Sequence, residues 1–242
     1  MPTTFPRIMF LDMEGTLLQK EHRLDDGRVA PSAWTVLAER LGPECLAEEN
    51  ATKDVWNAQG YPGYLEWMRA SVEIHKRFVL RRSVFESVMD SITLTRNAEQ
   101  AISALHERGS ITVLITGGFK ALADKVQRRL KIHHAFAGCE YFFSESTELV
   151  EHVNLLPADE VGKVDFMRLM CREYAFDPKD CAFVGDGKND VKLACEVGFS
   201  IAFNAQQALR DVATTVVNQA VGEEDFLAVA RAVVNHYDSR TA

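Results

Sequence analysis

Apolar and polar residues follow two patterns along the chain, one typical of buried strands and one typical of amphipathic helices. The first strand pattern is the apolar run Ile8–Leu11, which Asp12 follows at once. A continuous apolar run of this length is typical of a strand buried on both faces, as in a parallel sheet. Gly15 then permits a sharp turn at the strand's carboxyl end, where open α/β sheets hold their ligands. The stretch predicts a buried strand that leads into a ligand site; a strand that simply ends in a polar turn is the alternative.

Strand and helix patterns alternate regularly from residue 97 onward. Five apolar runs predict further strands, at 111–115, 137–143, 181–184, 199–203 and 215–217. Residues 148–155 have the pattern of a hairpin arm, and apolar stripes at helical spacing separate the strands. Strands that alternate with helices imply a parallel sheet with right-handed crossovers. The predicted fold class is therefore α/β, with a doubly wound parallel sheet.

Residues 19–90 have a different character from the rest of the chain. Between Trp34 and Leu41, four apolar side chains fall at positions i, i+3, i+4 and i+7, which is typical of an amphipathic helix. The region contains no convincing pattern of a buried strand. We therefore predict a small helical cap over 19–90, inserted after the first strand of a core that comprises 1–18 and 91–242. A helical layer of the same core is the alternative.

Composition restricts the class of partner. The chain of 242 residues carries 27 basic and 35 acidic side chains, a formal net charge of −8, which argues against nucleic acid or an anionic membrane as the main partner. Its five cysteines contain no Cys-x-x-Cys motif and are predicted to be buried free thiols in a reducing compartment. No leader pattern and no apolar run of membrane-spanning length occurs, so we expect a cytoplasmic protein.

Three predicted strands end in polar turns that contain glycine. These turns are Asp12-Met13-Glu14-Gly15-Thr16, Thr116-Gly117-Gly118 and Gly185-Asp186-Gly187-Lys188-Asn189-Asp190. In a doubly wound sheet such turns converge on one crevice at the carboxyl edge. Four carboxylates would gather there, and carboxylate oxygens are hard ligands that suit Mg²⁺. The sequence therefore predicts a Mg²⁺ site in this crevice.

The same crevice is predicted to bind phosphate. The N–H groups of Gly117 and Gly118, together with the Thr116 hydroxyl, form a natural cradle for phosphate oxygens. Lys163 opens the predicted helix that precedes the Asp186 strand, and its ammonium would supply a cation on the other side of the phosphate.

These motifs, in this order, resemble the four motifs of the haloacid dehalogenase superfamily. The chain is most similar to its phosphoserine-phosphatase-like branch, in which a small helical cap follows the first strand. The resemblance covers the core from Ile8 to about Val217. It implies a Rossmann-like core and a Mg²⁺-dependent phosphatase that hydrolyses a small phosphorylated metabolite, with a phosphoserine-like substrate as one possibility.

The resemblance assigns four catalytic roles by position. Asp12 would be the nucleophile that attacks phosphorus and forms an aspartyl-phosphate. Glu14 would protonate the leaving alkoxide and then activate water. Thr116 and Lys163 would bind the phosphoryl oxygens, and Lys163 would also offset the repulsion between the carboxylate and the phosphate.

The resemblance also implies a metal site and a substrate site. Asp12, Asp186 and the main-chain carbonyl of Glu14 would hold Mg²⁺, and Asp190 would ligate the metal or orient its waters. The residues implied in substrate binding are Glu21, Gly117, Gly118 and Asn189.

Glu14 departs from the commoner family motif, which has Asp at this position. The additional methylene moves the carboxyl group by about 1.5 Å, which still permits acid/base chemistry if the neighbouring helix shifts. Some phosphoserine-phosphatase-like relatives also resemble the chain in using Glu here. The longer side chain opens a second hypothesis, transfer of the phosphoryl group to a small alcohol. A third hypothesis is a protein that binds a phosphorylated metabolite without catalysis.

The cap departs from the phosphoserine phosphatase pattern as well. Those enzymes hold the amino acid with a Glu shortly after the first motif and with an aromatic residue and an Arg in the cap. Glu21 fits the first by spacing, and Tyr64 is a candidate for the aromatic residue. Ser71 stands where the Arg is expected, so Arg69 or Arg77 would have to replace it from a different helix face.

Overall fold

A seven-stranded, mostly parallel sheet forms the centre of the computed structural model, which describes residues 5–239. The strands lie in the order β4-β3-β2-β1-β5-β6-β7, and only β3 and β4 pair antiparallel. Their bounds are β1 Ile8–Leu11, β2 Ile111–Phe119, β3 His134–Phe143, β4 Val150–Leu155, β5 Ala182–Gly185, β6 Phe199–Phe203 and β7 Thr215–Val217. The predicted α/β class with a doubly wound parallel sheet is confirmed.

Ten α-helices accompany the sheet within residues 5–239. Five lie between β1 and β2, and the first four of them are α1 Ala33–Leu41, α2 Pro43–Asn57, α3 Tyr64–Arg77 and α4 Arg82–Ser91. The others are α5 Ala98–Glu107, α6 Lys120–Leu130, α7 Val161–Glu173, α8 Val191–Glu196, α9 Gln207–Arg210 and α10 Leu227–Asp238. None of the helices in this part of the chain is long and apolar enough to cross a membrane.

Strand β1 lies at the middle of the sheet, between β2 and β5. Phe10 pairs with Val113 on one side and with Phe183 on the other, and all four residues of β1 are fully buried. Successive side chains of a strand point to opposite faces, so Met9 enters one apolar cluster and Phe10 the other. Burial on both faces explains the continuous apolar run, and it fixes Asp12 at the carboxyl edge of the sheet.

The helices α1, α3 and α4 pack onto one face of the sheet. Trp34 of α1, Met68 of α3 and Phe85 of α4 belong to the same apolar cluster as Leu114 of β2. A small third cluster, of Ala38, Cys45 and Ile74, joins α1, α2 and α3 to one another. The helical content expected between the first two strands is thus present, while the boundaries of a separate cap domain at 19–90 stay a prediction.

Strand β2 is longer than its sequence pattern predicts. A turn is expected at Thr116-Gly117-Gly118, but the strand continues to Phe119, because Phe119 is fully buried and pairs with Cys139 of β3. The register between β2 and β3 shifts between Thr116 and Phe119, which marks a bulge. Helix α6 begins only at Lys120, so the two glycines lie in a bulged strand and not at a helix N-terminus.

The cysteines are free, as expected, but they are not all buried. Cys45, Cys139, Cys171 and Cys181 are buried, whereas Cys195 on α8 is exposed. The short helix α8 turns this side chain away from the sheet, which corrects the expectation for one thiol of the five.

Helix α7 offers a matched test of how burial contributes to stability. Met167 is fully buried, whereas Leu169 is 41% exposed. We expect Met167→Ala to lower the free energy of unfolding by about 2–5 kcal/mol, because it leaves a cavity in the core. Leu169→Ala should lower it by no more than about 1 kcal/mol. Urea denaturation followed by circular dichroism measures both values, and equal losses would contradict the packing described here.

Candidate active site

The predicted turns converge on one cavity of about 450 Å³ at the carboxyl edge of the sheet. Predicted residues in its lining are Asp12, Glu14, Thr116, Gly117, Gly118, Asp186 and Asn189. The cap side of the lining comes from α1, α2 and α3. Lys163 and Asp190 are fully buried at the edge of the cavity, where Lys163 donates hydrogen bonds to both Asp12 and Asp190.

The Lys163 ammonium lies at the centre of the acidic cluster. Its Nζ donates to Asp12 Oδ1 and to Asp190 Oδ1, each at 2.6 Å, and lies 3.9 Å from Asp159 Oδ1. Burial by itself lowers the pKa of Lys163, but the charges of these carboxylates outweigh burial and raise the pKa well above its ordinary value. Lys163 is therefore a permanent cation that joins β1, α7 and the turn after β5.

Asp190 uses both carboxylate oxygens within the protein. Oδ1 accepts from Lys163, while Oδ2 accepts from the main-chain N–H groups of Asp186 and Gly187, at 3.0 Å each. These bonds close the turn after β5 and orient Asp186 toward the cavity. Gly185 is required here, because a Cβ at this position would overlap the Asp190 carboxylate.

Three carboxylates form a group that could hold a metal ion. One oxygen from each of Asp12, Asp186 and Asp190 lies within 4.8 Å of the others. Such a set of hard oxygen ligands matches the preference of a divalent cation such as Mg²⁺. The Glu14 carboxylate does not belong to this group; it points toward helix α1.

Glu14 is held by the first residue of helix α1. Its Oε1 accepts from the Ala33 N–H at 2.5 Å, one of the free donors at a helix N-terminus. Burial raises the pKa of Glu14 to about 7, against the opposing effect of the Ala33 bond and of Lys20. A carboxyl group with a pKa near neutrality can both give and take a proton, as an acid/base catalyst must.

Thr116, Gly117 and Gly118 connect the cavity to the helices above it. The Thr116 hydroxyl accepts from the Gly118 N–H at 3.0 Å. The Tyr64 hydroxyl of α3 donates to the Gly117 carbonyl at 3.0 Å, and a Cβ at Gly117 would overlap the Tyr64 hydroxyl. Tyr64, proposed from the sequence as the aromatic cap residue, therefore does reach the cavity.

Two residues of the site are missed by the sequence patterns. Lys20 donates to Asp186 Oδ2 at 2.5 Å, and Asp159 accepts from Asn189 Nδ2 at 2.6 Å. Asp159 lies just before α7 and four residues before Lys163 in its first turn, and this spacing is the available signal. No pattern distinguishes Lys20 from a lysine on the surface.

The structure does not bring Glu21 together with the other predicted residues. Glu21 is exposed and lines a neighbouring cavity of about 270 Å³ instead. Arg69 and Arg77 are also exposed, and they form ion pairs with Glu66 and Glu48. The Glu and Arg side chains expected to hold an amino acid are thus not brought together, because Glu21, Arg69 and Arg77 all lie on outward faces.

Comparisons with known proteins agree with this geometry. The model of a family described as haloacid dehalogenase-like hydrolases matches residues 6–198. Phosphoserine phosphatase of Archaeoglobus fulgidus is 25% identical over 225 residues, which cover 93% of this chain and 59% of the relative. A probable phosphoserine phosphatase of Schizosaccharomyces pombe is 27% identical over 216 residues, which cover 89% of this chain and 67% of the relative. The chain therefore spans less than two thirds of the archaeal protein's length.

A solved structure shows the same fold. It is described as a phospho-aspartyl intermediate analogue of phosphoserine phosphatase, and it superposes with a TM-score of 0.74 at 21% sequence identity. The match covers 94% of this chain and 99% of the other.

Removal of the central cation should destabilise the protein in a pH-dependent way. Burial raises the pKa of Asp190 and of Asp159, and the charge of Lys163 opposes this rise, so Lys163→Met should raise both pKa values further. The folded variant would then hold protons that the unfolded chain releases, and its stability falls as pH rises through the raised pKa values. We expect a loss of about 3–5 kcal/mol near pH 8 and a smaller loss near pH 4.

Urea denaturation at several pH values measures this difference. Lys120→Met is the control, since the exposed Lys120–Asp124 pair on α6 should contribute no more than about 1 kcal/mol at any pH. A loss of unfolding free energy in Lys163→Met that is independent of pH would contradict the charge interactions described here.

Proposed function

Because the chain belongs to the haloacid dehalogenase-like hydrolase family, we propose that it hydrolyses a small phosphomonoester through an aspartyl-phosphate on Asp12. One observation carries the proposal. A permanent cation, Lys163, contacts Asp12 at 2.6 Å, while Asp186 and Asp190 extend oxygens to within 4.8 Å of the same carboxylate. This arrangement lowers the repulsion that an anionic nucleophile meets at a phosphate.

In the first step, a carboxylate oxygen of Asp12 attacks phosphorus. The bond between phosphorus and the leaving oxygen breaks, and protonated Glu14 gives its proton to that oxygen, so an alcohol departs. Lys163 and the Thr16 hydroxyl, which donates to Asp12 Oδ2 at 3.3 Å, hold the nucleophile in place. Orientation of this kind supplies a large part of the acceleration in phosphoryl transfer.

In the second step, the same Glu14 acts as a base. It takes a proton from water, the resulting hydroxide attacks phosphorus, and inorganic phosphate leaves as the Asp12 carboxylate is regenerated. The pKa of about 7 suits both steps, because it lets Glu14 donate in the first and accept in the second. The additional methylene of Glu14 also lets its carboxyl group reach the Ala33 N–H.

The donor set fits a magnesium ion. Asp12 and Asp186 would hold Mg²⁺, together with the Glu14 main-chain carbonyl that the family resemblance adds, and Asp190 would orient its waters. When bound, Mg²⁺ would neutralise negative charge on the phosphoryl oxygens.

The phosphoryl group would lie between Lys163 and the bulge of β2. Thr116, Gly117 and Gly118 line that side of the cavity, and Asn189 lines it on the side of Asp159. Phosphoserine is the substrate named for the curated relatives, which makes it the first compound to test. The exposed positions of Glu21, Arg69 and Arg77 do not favour it.

Asp12→Asn tests the nucleophile. With Mg²⁺ present, the wild-type protein should release phosphate from p-nitrophenyl phosphate, and Asp12→Asn should lower kcat by at least about 1,000-fold. Asp26→Asn is the matched control, because Asp26 is exposed and pairs only with Arg28. Equal activity of Asp12→Asn and wild type would contradict the mechanism. Ligand-induced thermal stabilisation without any turnover would favour a binding protein instead.

Glu14→Gln tests the acid/base role through the leaving group. A p-nitrophenolate leaves without protonation, so the variant should release about one equivalent of it rapidly and then turn over slowly. An alkyl phosphate needs the proton, so no rapid release is expected, and its turnover should fall by about 100- to 10,000-fold. Quenched-flow kinetics with both substrates measure these phases. Glu99→Gln, at an exposed ion pair with Arg129, should behave as wild type. A rapid phase with the alkyl phosphate would argue against Glu14 as the acid.

A further inference from the structure

A second, much smaller cavity adjoins the active-site cavity on the cap side. Its volume is about 50 Å³, and Ser32, Trp34, Lys53, Tyr64 and Trp67 line both cavities. A group attached to a phosphate at Asp12 would therefore extend past these residues toward the smaller cavity. The catalytic roles above leave this part of the protein without a function.

Glu49 lines the smaller cavity and has a carboxylate oxygen without a hydrogen-bond partner among the described residues. The residue lies on α2 and is 1% exposed, and its Oε2 has no hydrogen-bond partner within residues 5–239. The other such side-chain atom in this part of the chain is His75 Nε2, which does not line the cavity. A buried carboxylate oxygen without a partner is costly in a folded protein and calls for a ligand or a water. Glu49 thus marks a site that is built for a hydrogen-bond donor.

The smaller cavity lacks the guanidinium that the phosphoserine phosphatase pattern provides for an amino acid. Ser71 stands where the phosphoserine phosphatase pattern has an Arg, and it lines the smaller cavity together with Glu49. A carboxylate placed there would meet another carboxyl group in place of a guanidinium. Burial raises the pKa of Glu49, so this end of the cavity already disfavours one negative charge and a ligand carboxylate would add a second.

Lys53 decides between an amine and a hydroxyl as the donor. It lies one helical turn after Glu49, where its Nζ donates to Thr35 Oγ1 at 2.6 Å. Burial lowers the pKa of Lys53, so its surroundings already disfavour one positive charge. An ammonium on the ligand would add a second cation beside Lys53, whereas a hydroxyl adds no charge to this buried site.

The size and walls of the cavity agree with a hydroxyl-bearing carbon. A cavity needs about 10–15 Å³ by the same measure to hold one water, so a space of about 50 Å³ accepts a small hydroxyl-bearing group. The indoles of Trp34 and Trp67 and the Met68 side chain form apolar walls for the carbon atoms. The Trp67 N–H is already used, since it donates to Thr52 Oγ1 at 2.9 Å.

From this arrangement we infer that Glu49 and Lys53 form a specificity subsite for an uncharged polyol or sugar as the leaving group. A hydroxyl of the substrate donates to Glu49 Oε2 and accepts from Lys53 Nζ. This inference rests on the proposed function and extends it, because it names the substrate class as polyol or sugar phosphates.

The test compares substrates and variants in the full-length protein with Mg²⁺. We expect glycerol phosphate or a phosphorylated sugar to give a kcat/KM at least about tenfold above those of phosphoserine and phosphoethanolamine. Glu49→Leu should lower kcat/KM for the best polyol phosphate by about 10- to 100-fold, mainly through KM. The loss of kcat/KM that Glu49→Leu shows on p-nitrophenyl phosphate, which has no hydroxyl, should be at least about tenfold smaller.

Two further variants separate binding from structure. Glu49→Gln keeps an oxygen that accepts a hydrogen bond, so it should recover part of the activity that Glu49→Leu loses. Glu48→Gln changes the neighbouring exposed carboxylate, which pairs with Arg77, and should match wild type on every substrate. Since Leu replaces an unpartnered buried carboxyl group, we expect Glu49→Leu to keep or raise the Tm.

Several outcomes would overturn the subsite. An equal loss on polyol phosphates and on p-nitrophenyl phosphate would show a structural role for Glu49. A preference for phosphoserine or phosphoethanolamine that depends on Glu49 would show an amine subsite. Turnover of polyol phosphates that does not change when Glu49 is replaced would overturn the inference while leaving the proposed function in place. No Asp12-dependent hydrolysis of p-nitrophenyl phosphate by the wild-type protein would overturn the proposed function itself.

Discussion

The buried ammonium of Lys163 is the interaction on which the rest of the site depends. It joins Asp12 after β1 to Asp190 after β5, with Asp159 nearby, and three carboxylates could not share this space without a cation. Asp190 in turn fixes the main chain at Asp186. One side chain therefore sets the spacing of the proposed nucleophile and of the candidate metal ligands together.

The helices between β1 and β2 contribute to the chemistry as well as covering it. The N-terminus of α1 holds Glu14 through the Ala33 N–H, and the Tyr64 hydroxyl holds the carbonyl of Gly117. A movement of these helices would change the position of the acid/base group and of the phosphate cradle at once. This coupling gives a physical reason for a glutamate where the shorter aspartate is commoner, because the longer side chain spans the distance to α1.

The protein combines the fold of its family with a charge pattern in the cap that differs from the phosphoserine phosphatase pattern. Family membership accounts for the sheet and for the residues around Asp12, but Ser71 and Glu49 replace the basic environment expected for a substrate carboxylate. The catalytic and recognition parts of the cavity thus follow different constraints. The first is fixed by the charge of a phosphoryl group, whereas the second depends on the group that leaves.

The sequence by itself determined the α/β fold and most of the residues around Asp12, because buried strands impose apolar runs and the turns after them keep a fixed order. Local patterns also identified Asp186, which directly follows such a strand, and Lys163, which opens the helix before it. Only the tertiary structure decided the rest: it extended β2 through Gly118, turned Glu21 outward, and brought Lys20, Asp159 and Glu49 to the cavity. These positions depend on how helices pack against the sheet, and packing between segments distant in sequence leaves no periodic signal along the chain.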